Sequence, residues 1–113
     1  LILAISSVSA ITIEITELEL NPTGDDKGSE WLEIYSSKET NFTGWYLENE
    51  RGYRYNLSGE EEDYLVIEFE SYFLRNTDAQ LFLYDETDDL IYETEILSDS
   101  KNDNRTQQLC DEW

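Results

Sequence analysis

Apolar side chains recur at every second position through most of this chain, and no segment carries the 3.6-residue apolar stripe of a long amphipathic helix. Ile11, Ile13 and Ile15 share one face, with Thr12 and Glu14 on the other, and Leu18 and Leu20 resume the apolar face one residue out of phase. One extra residue near Thr16-Glu17, a β-bulge, restores the register. Leu32 and Ile34 alternate with Trp31, Glu33 and Tyr35, so both faces of that strand are partly apolar. This predicts a central strand, covered on one side by a second sheet and on the other by a loop or a partner. Trp45 and Leu47 form the next inward pair, with Gly44 placed for a bulge or a close backbone approach. Tyr53, Tyr55 and Leu57 then alternate until Ser58-Gly59 and the acidic run 60–63. Leu65, Ile67 and Phe69 alternate with Val66 and Glu68, and Leu81 and Leu83 with Phe82 and Tyr84. The run 85–89 reads as a hairpin turn into a last strand around Leu90 to Leu97, while residues 21–28, with Pro22 and two glycines, read as an exposed loop. Short strands at regular spacing predict an all-β antiparallel sandwich of about seven to nine strands. Its core is expected from Ile13, Ile15, Leu18, Leu20, Leu32, Ile34, Trp45, Leu47, Leu65, Ile67, Leu81 and Leu83.

Two of these strands carry an ordered mixture of aromatics and acids. Glu30-Trp31-Leu32-Glu33-Ile34-Tyr35, a short polar loop, and then Phe42-Thr43-Gly44-Trp45-Tyr46-Leu47 resemble the signature of the lamin-tail domain family, whose fold is an immunoglobulin-like β-sandwich. The resemblance extends over residues 11–113. It includes a C-terminal stretch, 97–108, that looks like the family's Asp-Ser and polar-loop segment but has Gln107 where an aromatic is usual. The family continues past the position of Trp113 into a closing strand, so the expectation is a domain lacking its final strand, with an open sheet edge near the last residues. The resemblance implies an interaction or structural module, and such domains also stand beside exported nucleases and other hydrolases. The filament role of nuclear members is not implied, because no coiled-coil heptads precede the domain.

A chain of 113 residues closes one sandwich core and leaves no room for a separate catalytic domain. Eight Tyr, four Phe and three Trp supply large buried areas that offset a very polar surface. That surface is acidic: 27 Asp plus Glu stand against seven Lys plus Arg, a formal net charge of −20. Nucleic-acid affinity rests on Lys and Arg displacing phosphate counterions, so no nucleic-acid partner is expected. Two readings of the acid excess stay open, solubility in a salty or cation-rich exterior and recruitment of cations or a basic partner.

Glu30 with Glu33, or Glu19 with Glu33 across neighbouring strands, could pair as general acid and base if one were desolvated. Acids are so frequent here that such pairs arise by chance, there is no His, and no Ser or Cys has a base beside it; no catalytic residue is assigned. Glu33, between two aromatics, reads as a structural group hydrogen-bonded to a neighbour. Asp85, Glu86, Asp88 and Asp89 in one turn, and Asp99, Asn102, Asp103 and Asn104 in one loop, offer hard oxygen ligands of the kind calcium takes. Neither has the spacing of a convergent calcium loop, and one Cys without His excludes a structural zinc site; no metal or cofactor is assigned. Asn41, Asn56 and Asn104 each begin a glycosylation sequon, and Asn41 has a second reason to be present, as a turn residue bonding its own backbone. Cys110 is either bridged to a cysteine elsewhere or a free buried thiol.

Residues 1–10 are uncharged and apolar and end in the small-x-small triplet Val8-Ser9-Ala10. They read as the remnant of a signal peptide, with an extra edge strand as the other possibility, and the domain proper begins at Ile11. No stretch approaches the roughly 20 apolar residues of a membrane span. The expectation from sequence is a noncatalytic interaction or structural module of a secreted or cell-surface microbial protein, with a protein or cell-envelope component as partner. An accessory domain of an exported hydrolase or nuclease is the other reading.

Overall fold

A computed structural model of the chain describes residues 11–20, 30–69, 73–75 and 77–98, together with the backbone of 107–108. The expected signal remnant, the 21–28 loop, the 99–104 acid cluster, the Asn104 sequon and Cys110 lie outside the described residues. Among the described residues there is no helix, and so none long and apolar enough to cross a membrane.

Eight strands follow in chain order: β1 (Ile13–Glu19), β2 (Glu30–Asn41), β3 (Tyr46–Asn49), β4 (Arg54–Asn56), β5 (Glu60–Phe69), β6 (Leu81–Tyr84), β7 (Leu90–Glu93) and β8 (Gln107–Gln108). They form two antiparallel sheets, ordered β5-β2-β1-β8 and β4-β3-β6-β7. One buried cluster draws Ile15, Leu18, Leu32, Ile34 and Ile67 from the first sheet and Leu47, Leu81 and Leu83 from the second, so the two sheets share a core in a sandwich-like arrangement.

The parity break in β1 is a bulge at the expected place. Ile15 pairs with Ile34 and Glu17 with Glu33, leaving Thr16 as the extra residue. Before it Ile13 and Ile15 face the core, and after it Leu18 does so opposite Leu32. Thr16 is itself buried, and its hydroxyl donates to Oε1 of Glu33, the residue that faces Glu17, at 3.0 Å. Like charges directly opposite one another weaken a ladder, and the hydroxyl offsets part of that repulsion.

Ten of the twelve expected core residues are buried; Ile13 and Leu65 are only partly so and pack against the cluster from its margin. Leu65 lies on β5, the edge strand of its sheet, where the opposite sheet covers it incompletely. The structure corrects three other expectations. The acidic run 60–63 is not a loop: it is the first part of β5, where Glu60 pairs with Asn41 and Glu61 with Thr40. The polar segment after Tyr35 is correspondingly part of β2, which runs to Asn41 through a register irregularity between Ser36 and Thr40. There the Ser36 and Thr40 hydroxyls share a 2.8 Å hydrogen bond, which satisfies polar groups that the interrupted ladder leaves behind. The last strand is shorter than Leu90 to Leu97, because β7 ends at Glu93 and Leu97 makes only an isolated bridge to Ala79.

Gly44 precedes β3 at φ +89°, and a Cβ there would stand 3.0 Å from Cβ of Glu86. The close approach anticipated at this glycine is thus made to the turn between β6 and β7. On the other flank of the fold, β8 pairs with Glu17 and Leu18 of β1 and forms the outer edge of its sheet.

Candidate interaction surfaces

The acid pairs considered for catalysis do not form. Glu30 lies on the core face of β2 opposite Phe69, fully buried, and its Oε1 accepts from the Leu74 N–H at 3.3 Å. Glu33 lies three residues on, on the outward face with Trp31 and Tyr35, so the sheet itself separates the two carboxylates. Glu19 is buried but stands opposite Trp31 rather than Glu33.

The acids of the β6–β7 turn serve its backbone. Asp85 Oδ1 accepts from the Thr87 hydroxyl at 2.7 Å, the Thr87 N–H at 2.9 Å and the Asp89 N–H at 3.0 Å. These bonds, the hydroxyl's first, hold the Asp85 carboxyl below its ordinary pKa against a smaller opposing effect of burial. Asp88 adopts φ 64°, a conformation Asp tolerates, and its Oδ1 accepts from the Tyr46 hydroxyl at 2.9 Å. Among the described residues no group of three or more Asp, Glu, Cys or His converges as metal ligands would.

Tyr46 also anchors the outer face of its sheet. Its ring stacks on Tyr84 with centroids 5.0 Å apart and lies under the Arg54 guanidinium, 4.4 Å from the centroid. Arg54 in turn pairs with Glu48 at 3.3 Å. Burial first, and then the bond to Asp88, raise the Tyr46 pKa above its ordinary value.

The outer face of the β5-β2-β1 sheet is different in kind. Cross-strand rows place Glu68, Trp31 and Glu19 side by side, then Val66, Glu33 and Glu17, then Tyr64, Tyr35 and Glu14. Tyr35 and Tyr64 meet with ring centroids 5.6 Å apart. Tyr64 is 49% exposed and Val66 54%, so this face presents apolar surface to solvent between carboxylates.

Next to this face the sandwich has an open side. β4 and β5 are the edge strands of their respective sheets, and residues 57–59 carry the chain from one to the other, turning at Gly59 with φ +88°. Between the two edges lies a cleft of about 200 Å³, with residues 55–58 on one wall and 65–68 on the other. Tyr55, 36% exposed, stands at its mouth, edge-on to Phe69 at 5.1 Å, while Phe69 stacks on Phe73 at 4.8 Å. The sequence pattern marks the outward face in part, because Trp31, Glu33 and Tyr35 form a second, partly apolar phase of β2 for which a loop or a partner is expected, and Val66 stands in the phase opposite Leu65 and Ile67. It does not mark Tyr64 or the cleft.

Two of the sequons fall among the described residues. Asn41 and Asn56 are both exposed, and Asn41 Oδ1 accepts from the Thr43 N–H at 3.0 Å, the backbone-bonding role expected of it. Comparison with protein-family models, with curated proteins and with solved structures finds no match.

Proposed function

We propose that this chain is a noncatalytic interaction module built on an immunoglobulin-like sandwich of the lamin-tail type. It belongs to a secreted or cell-surface microbial protein and takes a protein or cell-envelope component as its partner. The strand order supports the immunoglobulin-like reading. With β1, β2 and β5 taken as strands A, B and E, and β3, β4, β6 and β7 as C, C′, F and G, the orders β5-β2-β1 and β4-β3-β6-β7 agree with that fold, and β8 is an addition beyond strand A. The single observation that carries the functional reading is the outward sheet face, where Tyr35, Tyr64 and Val66 stay accessible among carboxylates. Exposed aromatics at the centre of a charged rim are the composition of a recognition surface, and acids around them favour a cationic partner. An accessory domain of an exported hydrolase or nuclease would use the same face, with the chemistry supplied elsewhere.

Titration of the isotopically labelled protein with an acetylated octalysine peptide tests this reading by NMR. Shifts concentrated on Tyr35, Tyr64 and Glu68, weakened by added salt, support it. No shifts up to about 1 mM peptide at low salt, the weak end of specific association, overturn it.

A further inference from the structure

We infer that the cleft between β4 and β5 is a strand-acceptor site: it takes an extended peptide whose apolar side chains alternate with lysine or arginine, and that peptide pairs with the outer edge of β5, which no strand covers among the described residues. The inference deepens the interaction-module reading and rests on it. An edge strand turns half of its backbone N–H and C=O groups away from its neighbour, and these are competent to bind a further strand. β5 is the longest edge strand among the described residues, running from Glu60 to Phe69. The wall formed by residues 65–68 is part of it. Four strand residues span roughly 13 Å, enough for one face of a short extended segment.

The size of the cleft points the same way. At about 200 Å³ it falls below the roughly 300–1,000 Å³ of pockets that enclose small molecules. It has room for alternate side chains of a strand laid along β5, which would meet Leu57 and the exposed ring of Tyr55. The outward-pointing side chains of that strand would extend the face already carrying Tyr64 and Val66.

Charge selects the occupant. β5 reads EEEDYLVIEF, with five carboxylates in ten residues and no cation. Two copies of this edge brought together would join strands that each carry five carboxylates and no cation, so self-pairing is disfavoured. A cationic strand meets the opposite situation, because its charges lie beside Glu68 and, where it runs on past Tyr64, beside the acid run 60–63. The same side chains therefore exclude a second copy and favour a basic segment.

The test uses an acetylated octapeptide alternating Val and Lys, with three comparison peptides: its Val-Glu counterpart and the two isomers N-methylated on alternate residues. N-methylation removes backbone donors from one edge of the peptide and leaves its charge and side chains unchanged. Strand addition predicts binding of the Val-Lys peptide, none of the Val-Glu peptide, and a loss of at least about tenfold for one N-methylated isomer but not the other. It also predicts slowed hydrogen exchange at those amides of residues 65–68 that point away from β2. Equal binding of both N-methylated isomers, or binding without that protection, overturns strand addition. If octalysine still shifts Tyr35 and Tyr64 in that case, the interaction-module reading stands; if neither peptide binds, both fall. A dimer of the protein alone, with the same amides already protected, assigns the edge to a second copy and overturns the choice of occupant.

Discussion

Deletion of Thr16 removes the residue that the bulge accommodates, and the structure fixes what must follow. Ile13, Ile15, Leu18 and Leu20 then alternate strictly with Glu14, Glu17 and Glu19 and keep their face, and Ile15, Glu17 and Leu18 keep Ile34, Glu33 and Leu32 as partners in an unbroken ladder. The deletion loses the hydroxyl bond to Glu33, with an expected cost of about 0.5–1.5 kcal/mol. Deletion of Leu18 has no such escape. With the bulge kept, Glu19 turns to the core and Leu20 to solvent; with the bulge straightened, Glu17 turns to the core in place of Leu18. Burying a Leu side chain contributes about 1.5–3 kcal/mol, so even the cheaper route forfeits that much before the cost of the misplaced carboxylate. Against a total stability of about 5–15 kcal/mol this is a large share. Thr16→Val, which keeps the bulge and loses the same hydroxyl bond, is the control for the Thr16 deletion. Urea unfolding of the three variants followed by tryptophan fluorescence makes the comparison. A Thr16 deletion that costs as much as the Leu18 deletion refutes the claim that the bulge reconciles the two halves of β1.

Gly44→Ala is expected to destabilise by at least about 1–2 kcal/mol from its left-handed backbone alone, with the contact to Glu86 adding to that. Adding Glu86→Gly in a thermal-melt double-mutant cycle should recover only the steric part, and full recovery would contradict the backbone argument. Because the Asp85 pKa is lowered on folding, its contribution is present above the ordinary Asp value of about 3.9 and is lost as pH falls through the depressed value. The Thr87 and Asp89 amide resonances should therefore move only below about pH 4, and movement centred above it would show that Asp85 does not hold the turn. With a net charge of −20, the thermal midpoint should rise as salt screens self-repulsion, which a melt in low and high NaCl would show or deny. Fluorescence anisotropy with duplex DNA at physiological salt should give no measurable affinity, and micromolar, salt-weakened binding would count against the charge argument.

What the sequence disclosed and what it hid divide along a physical line. Alternation is informative where one face is dry and the other wet, which is why the bulge at Thr16 and ten core positions were legible. It is uninformative where a strand is wet on both faces. Residues 60–63 are all exposed, and they are a strand because their backbone pairs with the extension of β2, a long-range fact that side-chain pattern does not record. It also has no hold on residues outside strands. Phe42, Phe73, Leu74 and Ala79 are buried from loops and turns, Phe42 edge-on to Trp45 at 5.1 Å, and no periodicity marks them. Asn49 belongs with them. Its Nδ2 donates to the Phe73 carbonyl while its Oδ1 accepts from the Arg51 and Tyr53 N–H groups, so one buried amide ties the β3–β4 turn to the segment after β5. Of the candidate surfaces, the outward face was legible in part, from the second apolar phase of Trp31 and Tyr35 in β2 and of Val66 in β5, whereas the cleft depends on how the β4 and β5 edges meet, which no strand pattern records.

The acidity of this chain and its open edge are two aspects of one arrangement. An exposed edge strand is a hazard because its backbone will pair with any extended segment, and sheet proteins commonly guard such edges with charge. Here the guard is of a single sign: β5 carries carboxylates only, while Arg54 of β4 and Arg51 just before that strand are engaged with Glu48 and Glu50. Guarding of mixed sign would repel no partner in particular. A guard of one sign repels copies of itself and other acidic chains and lowers the barrier to basic ones, turning a protection against aggregation into a filter on partners. Salt then separates the two roles. Screening should weaken attachment of a cationic strand and, by the same loss of repulsion, raise the tendency of two β5 edges to meet, so the two associations should respond to ionic strength with opposite signs.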